Sequence, residues 1–212
     1  MRTDQLIQAI ATDGPSPGRS LVARMALALL LGGAAAAVLF ALMLGVRGDL
    51  AQVALTWRFA LKVIIATAAF VAALWAIARL SRPEARMRDV AAVLSAPALL
   101  LAGCVVVELT TVLPAHWMTG AIGSNSRICL ASIPLLAAAP LAALLVALRA
   151  GAPASPAEAG AVAGLAAGAL GAALYATHCI DDSPLFVALW YTPAVAIVTV
   201  AGALAGRLVL RW

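Results

Sequence analysis

The thiols and imidazoles of this sequence are the side chains best suited to chemistry, and three of the five lie in two short segments. Cys129 follows Arg127, and Cys179 stands in the run His178-Cys179-Ile180-Asp181-Asp182. Thiols and imidazoles bind soft metal ions, and two thiols can form a disulfide. Three interpretations stay open: a redox-sensitive or metal-sensing dithiol, with His178 and Asp182 as further metal ligands, a structural disulfide, or two separate buried thiols.

Catalytic motifs are not found in this sequence. It has no Gly-rich phosphate loop, no Gly-x-Ser-x-Gly, no His-Glu-x-x-His and no Cys-x-x-Cys. We therefore expect a protein that is not an enzyme and needs no cofactor, with a heavy-metal ion entering only as a signal.

The composition predicts a membrane protein. Of the 212 residues, 65% are hydrophobic and only 11% are charged, against about 25% charged in soluble domains. Ala, Leu and Val dominate, which favours an all-α fold in lipid over a β-barrel. The basic residues separate apolar runs and are not gathered in a patch, so direct nucleic-acid binding is not expected.

Six apolar runs are long enough to cross a bilayer, which takes about 20 residues each. We predict a cytoplasmic tail over residues 1–24 and a six-helix transmembrane domain over residues 25–212. Cys104, within the third run, is interpreted as a small core residue. The predicted transmembrane helices cover residues 25–46, 59–78, 90–113, 128–148, 159–177 and 185–206.

Arginine and lysine residues near the helix ends set the predicted orientation. Ten lie on the side that carries both termini and four on the other side. Because positively charged residues stay in the cytoplasm, both termini are predicted to be cytoplasmic, in a bacterial inner membrane. Cys129 and Cys179, which are two crossings apart, should then both lie at the outer face.

Glu108 is the acidic residue that lies within an apolar run. A carboxylate in a membrane is costly and is often functional. Lys62 lies near the same face on the second helix, so one interpretation is a structural pair of Glu108 with Lys62. The other is signal transmission or an ion path.

The fifth run carries glycines at close to helical spacing. Small residues on one face let a neighbouring backbone approach closely. The face serves either ordinary packing within the bundle or a homodimer. Its glycines are Gly160, Gly164, Gly168 and Gly171.

The tail begins with a short amphipathic segment. Thr3 or Asp4 can cap a helix, and Leu6, Ile7 and Ile10 form an apolar stripe at helical spacing. Such a short helix needs a surface on which to dock. A hydrophobic groove on a partner fits better than lipid, because the stripe has neither flanking lysines nor aromatic residues.

Several of these segments together resemble one bacterial family over the whole chain. They are the start Met-x-Thr-Asp-x-Leu-Ile, Arg127-x-Cys129, Leu148-Arg149-x-Gly-Ala-Pro, Tyr175-x-x-His178-Cys179 with Asp182, Trp190-Tyr191 and a closing Gly-Arg-Leu-x-x-Arg-Trp. The sequence resembles the NrsF family of six-helix inner-membrane anti-sigma factors.

The resemblance implies a negative regulator that holds an extracytoplasmic-function sigma factor at the membrane through its N-terminal segment. It further implies that the two outer cysteines, Cys129 and Cys179, detect metal or oxidative stress. Asp4, Leu6, Ile7 and Ile10 would then form the face that contacts the sigma factor.

Two other functions compete with this one. A small solute or ion transporter or channel would need a polar lining through the bundle, which the fourth and fifth helices hardly offer. A membrane thiol oxidoreductase would need a second cysteine pair to relay electrons, and the chain has three cysteines.

Overall fold

The computed structural model describes residues 3–12, 20–82 and 84–210, and within these residues the secondary structure is helical throughout. The side chains of Leu6 and of residues 9–12 lie outside the described part. The last helix, Pro184–Val209, includes a wider π-helical turn, Val187–Tyr191. The helices are α1 Thr3–Thr12, α2 Leu21–Met43, α3 Leu50–Val53, α4 Trp57–Leu80, α5 Met87–Thr111, α6 Trp117–Ile122, α7 Ser126–Leu148, α8 Pro156–Ala176 and α9 Pro184–Val209.

Six of these helices, α2, α4, α5, α7, α8 and α9, are long and apolar enough to cross a membrane. They coincide with the six predicted runs and differ by at most four residues at any end. The largest difference is at the start of α2, where the Ser20 hydroxyl accepts a hydrogen bond from the Ala23 amide at 3.3 Å. This cap starts the helix before the apolar run begins, because a serine side chain satisfies an amide that lacks a partner in the first turn.

Helix α8 lies at the centre of the bundle, in contact with α2, α4, α7 and α9. Its small residues make this possible. A Cβ atom built on Gly160 would lie 2.3 Å from the carbonyl oxygen of Gly202, and one on Gly164 would lie 2.4 Å from that of Val198. The backbone of α9 can approach α8 this closely because Gly160 and Gly164 carry no side chain.

The glycine face of α8 is thus covered by the protein itself. Gly160, Gly164 and Gly168 face α9, and Gly171 faces the Ile133 carbonyl of α7. All four glycines are buried. Of the two interpretations of this face, packing within the bundle is confirmed, because the surface that would join two copies is already used within one chain.

The bundle has two ends, which differ in their connections. We call proximal the end at which α2 begins and α9 finishes; there Gly151 lies beside Leu21, and Gly206 beside Pro156. The distal end carries the connections α2–α4, α5–α7 and α8–α9, with the short helices α3 and α6. The charged side chains that are buried in the described part lie toward the distal end.

Candidate functional site

The connection between α8 and α9 is bound to the bundle through a buried lysine. Lys62, on the second turn of α4, has a fully buried side chain. Its Nζ donates to Asp182 Oδ1 at 2.5 Å, to the Cys179 carbonyl at 2.9 Å and to the Asp181 carbonyl at 3.3 Å. An ammonium group has three hydrogens to donate, and here all three have acceptors. Lys62 therefore fixes the loop that carries Cys179 onto α4.

Arg47 binds the same loop from the other side. Its guanidinium donates to Asp182 Oδ2 at 2.9 Å and to the Cys179 carbonyl at 3.1 Å, and it forms two further bonds with Asp49. The hydrogen bond with Asp49 is the largest cause that raises the pKa of Arg47 and lowers the pKa of Asp49. Asp182 thus lies between two cations, each of which donates to one of its carboxylate oxygens.

Asp181 connects the loop to the start of α7. Its carboxylate accepts hydrogen bonds from the amides of Ser124, at 3.1 Å, and Asn125, at 2.9 Å. The adjacent Gly123 has a positive φ of 57° and leaves no room for a Cβ beside Phe186 and Asp181. Only a glycine suits both requirements. We call Arg47, Lys62, Asp181 and Asp182 the distal polar cluster.

Glu108 belongs to a second polar group nearby. Its Oε2 lies 2.9 Å from Arg58 Nη2, and its Oε1 accepts a hydrogen bond from Ser183 at 3.2 Å. The predicted pair of Glu108 with Lys62 is therefore wrong. Both cations are on α4. Lys62 forms its hydrogen bonds with Asp182 and the loop carbonyls. Arg58 lies one turn closer to the start of α4, where its guanidinium reaches Glu108 of α5.

Cys129 and Cys179 lie in one buried apolar cluster with Tyr175, Phe186 and Tyr191. Both are free thiols with no exposed surface. Burial raises the pKa of the Cys179 thiol, so at neutral pH it is protonated and weakly nucleophilic. Cys104 is buried within α5, as expected for a small core residue.

Of the four residues predicted as metal ligands, His178 and Asp182 have surroundings different from those of the two thiols. His178 places Nδ1 3.0 Å from the Gly45 carbonyl oxygen, and both carboxylate oxygens of Asp182 are bound by cations. Across residues 3–12, 20–82 and 84–210, no group of three or more His, Cys, Asp or Glu side chains is placed to hold a metal ion. Of the predicted set, only the thiols Cys129 and Cys179 share one environment, and a sensing role rests on them.

Helix α1 is the other predicted site. It covers ten residues, with Asp4 in its first turn. The side chain of Ile7 is 60% exposed, and that of Asp4 is exposed. Leu6 and Ile10, the other predicted contacts, have side chains outside the described part. An exposed apolar side chain on a short helix is consistent with a surface that a partner covers.

Sequence reasoning placed Asp182 near Cys179 but missed Arg47 and Asp181. A signal was available in the charges, because the predicted outer face carries four cations, Arg47, Arg58, Lys62 and Arg127. The same face carries the carboxylates of Asp49, Glu108, Asp181 and Asp182. Equal numbers of opposite charges close to lipid predict pairing, since an unpaired charge there is costly.

Comparison with known proteins identifies the family. A family model described as NrsF, negative regulator of sigma F, matches residues 10–212. The anti-sigma-F factor NrsF of Caulobacter vibrioides (strain NA1000 / CB15N) is 36% identical over 221 residues, and the probable anti-sigma-F factor NrsF of Azospira oryzae (strain ATCC BAA-33 / DSM 13638 / PS) is 34% identical over 213 residues. Each alignment covers 100% of both chains. No solved structure matches the chain. The chain belongs to the NrsF family of negative regulators of sigma F.

Proposed function

We propose that this protein is an inner-membrane anti-sigma factor that binds an extracytoplasmic-function sigma factor on its cytoplasmic side and releases it when its distal thiols are modified. The observation that carries the proposal is the full-length likeness to two anti-sigma-F factors, which extends through the six apolar helices. The proximal end, with both termini, is cytoplasmic in this proposal, and the distal end faces the periplasm.

The sigma factor binds the apolar face of α1. Leu6, Ile7 and Ile10 lie on one side of the helix at steps of 100° per residue, with Gln5 and Gln8 on the opposite side. The exposed Ile7 supports this assignment. A sigma factor held against the membrane in this way cannot reach the RNA polymerase core.

The signal is detected at Cys129 and Cys179. Oxidation by an external oxidant would join the two thiols with loss of two electrons and two protons, and a thiophilic metal ion would displace the thiol protons instead. Either event has to open the buried cluster, since neither thiol is exposed. The raised pKa of Cys179 keeps the resting sensor unreactive.

The distal polar cluster gives the signal a route to the other end of the bundle. The Cys179 carbonyl is bound by Lys62 of α4 and by Arg47, which follows α2. Displacement of the Cys179 loop would therefore pull on the distal ends of two helices whose other ends border the cytoplasmic side. Coupling of this kind requires two discrete arrangements of packed helices.

The binding role is tested by co-purification of the sigma factor with the full-length protein. Ile7→Glu places a charge on the apolar face of α1, and we expect it to abolish capture, because burial of an uncompensated carboxylate costs more than a contact of this size provides. Gln8→Glu makes the same change of charge on the opposite side and should leave capture intact. Equal capture by both variants would contradict docking through the apolar face.

The sensing role is tested by release of the captured sigma factor from membrane vesicles. Diamide serves as the oxidant and Cd²⁺ as the thiophilic ion. We expect release from the unmodified protein and from Cys104→Ser, and retention by Cys129→Ser and Cys179→Ser. Release from all three variants alike would show that the distal thiols are not the sensor.

A further inference from the structure

A cavity of about 820 Å³ lies between the long apolar helices and borders the distal polar cluster at one end only. Helices α4 and α8 form its floor, and α5 and α9 form its two walls. Its lining is almost wholly aliphatic and is rich in alanine, as at Ala66, Ala102, Ala169 and Ala196. Lys62 and Tyr191 mark its distal end, and the ammonium group of Lys62 is already satisfied by Asp182 and two carbonyls. A ligand that fits this lining is an apolar chain.

The cavity exists because α5 stands away from the centre of the bundle. Helix α5 packs along its hairpin partner α4 and meets the first turns of α9 at the distal end. Below that contact the cavity separates α5 from α8 and from the rest of α9. Pro97, which lines this stretch, removes one hydrogen-bond donor from α5 and favours a bend in the helix.

The length of the cavity corresponds to one leaflet of a membrane. Its lining on α5 runs from Leu94 to Val106, twelve residues apart, which is about 18 Å at 1.5 Å per residue. The hydrocarbon core of a bilayer is about 30 Å thick, so that one leaflet takes about 15 Å. A chain that enters from one leaflet can therefore lie in the cavity along its whole length.

The distal contact between α5 and α9 shows whether a lipid chain or a helix can occupy the cavity. A transmembrane helix of a partner, or of a second copy, must run through about 30 Å of hydrocarbon. A helix placed in the cavity would collide with the distal closure, where Ser183 donates to Glu108 and α5 packs against α9. A chain confined to one leaflet meets no such obstacle.

We propose that this cavity is a binding site for one acyl chain of a membrane phospholipid, which enters from the bilayer between α5 and α9. The chain fills the space between α5 and the central helix α8 and acts as a wedge that sets the position of α5. Because α5 begins directly after Arg86, occupancy of the site also sets where the start of α5 lies at the proximal end. This inference is independent of the binding of a sigma factor.

The site is tested with a phosphatidylethanolamine that carries a diazirine at the middle of one acyl chain. The full-length protein is reconstituted with this lipid, irradiated, and mapped by peptide mass spectrometry. We expect the adducts to concentrate on residues of α5 and α9 that line the cavity. Label spread evenly over all lipid-facing helices would overturn the proposal.

A matched pair of substitutions tests whether the cavity itself holds the chain. Ala102→Phe fills the cavity from α5, and we expect about a tenfold loss of adduct, the loss that follows when roughly two methylenes no longer fit. Ala37→Phe places the same ring on an exposed position of α2 and should leave the adduct unchanged. Ala196→Phe fills the cavity from the opposite wall. A similar loss of adduct in this variant shows that the loss in Ala102→Phe is not caused by misfolding of that variant.

A fourth variant distinguishes the occupants. Ala102→Cys in membranes should remain monomeric under oxidation if a lipid chain fills the cavity. A disulfide-linked dimer through this position would assign the cavity to a second copy and refute the lipid site. An unchanged yield of adduct in both phenylalanine variants of the cavity would refute it as well.

Discussion

Replacement of Lys62 by methionine removes the cation that joins α4 to the Cys179 loop, and it tests the distal polar cluster directly. Methionine keeps the volume and the unbranched shape of the buried chain. The variant leaves the Asp181 carbonyl without its lysine donor, and it leaves both the Cys179 carbonyl and Asp182 with Arg47 alone. Removal of one partner of a buried pair costs about 3–5 kcal/mol. Because Arg47 remains beside Asp182, which is itself 17% exposed, the lower end of that range, about 3 kcal/mol, is expected here.

The assay is thermal unfolding of the purified protein in detergent. For a chain of this length each kcal/mol corresponds to about 2–4 °C in Tm, so Lys62→Met should lower Tm by about 6–12 °C. Arg127→Met removes an exposed cation at the same end and should change Tm little. The double variant Lys62→Met with Asp182→Asn should lose less than the sum of the two single variants, because the carboxylate left by the first change is neutralised by the second. Additive losses, or equal effects of Lys62→Met and Arg127→Met, would refute the assignment of a coupled buried pair.

Two further results are expected. Gly202→Ala, whose Cβ would lie 2.3 Å from the Gly160 carbonyl oxygen, should separate α8 from α9 and lower Tm by several degrees, whereas Gly103→Ala, with nothing within 4 Å, should leave Tm unchanged or raise it. In a background in which the other two native cysteines are serine, Cys179 should react with an impermeant maleimide far more slowly at pH 7.5 than a cysteine placed at the 56% exposed neighbour by Ile180→Cys. The labelling rate of Cys179 should rise only as the pH approaches the raised pKa of its thiol, because little of the reactive thiolate is present below that pKa. Equal rates at pH 7.5 would contradict the burial of Cys179, and an unaltered Tm in Gly202→Ala would contradict the close contact of the two helices.

The sequence could locate the functional residues more easily than it could pair them. Asp182 and Cys179, three residues apart, were predicted as metal ligands; in the structure, Lys62 and Arg47 contact the Asp182 carboxylate and the Cys179 carbonyl. The partner of Glu108 was predicted as Lys62 and is Arg58. The two cations are four residues apart on one helix, so helical periodicity places both on the same face. Only the fold, which brings the Cys179 loop over Lys62, decides between them.

For the glycine face of α8, too, the sequence indicated the residues that make a contact but not their partners. The spacing of Gly160, Gly164 and Gly168 required a close backbone neighbour, and this requirement is local, since it follows from the missing side chains. The identity of the neighbour is not local. It depended on α9 returning beside α8, with Gly202 opposite Gly160, so that the contact falls within one chain instead of between two.

The sequence by itself determined the six helices that are long and apolar enough to cross a membrane, because an apolar run in hydrocarbon can satisfy its backbone only by forming a helix, whatever its neighbours are. It also determined which side chains are too polar to face lipid. The tertiary structure alone decided how those side chains pair, which glycines meet, that Cys129 and Cys179 lie buried in one cluster, and that α5 stands away from α8 around a cavity. These features depend on distances between residues far apart in the chain, and those distances are set by the packing of whole helices and not by any local run of residues.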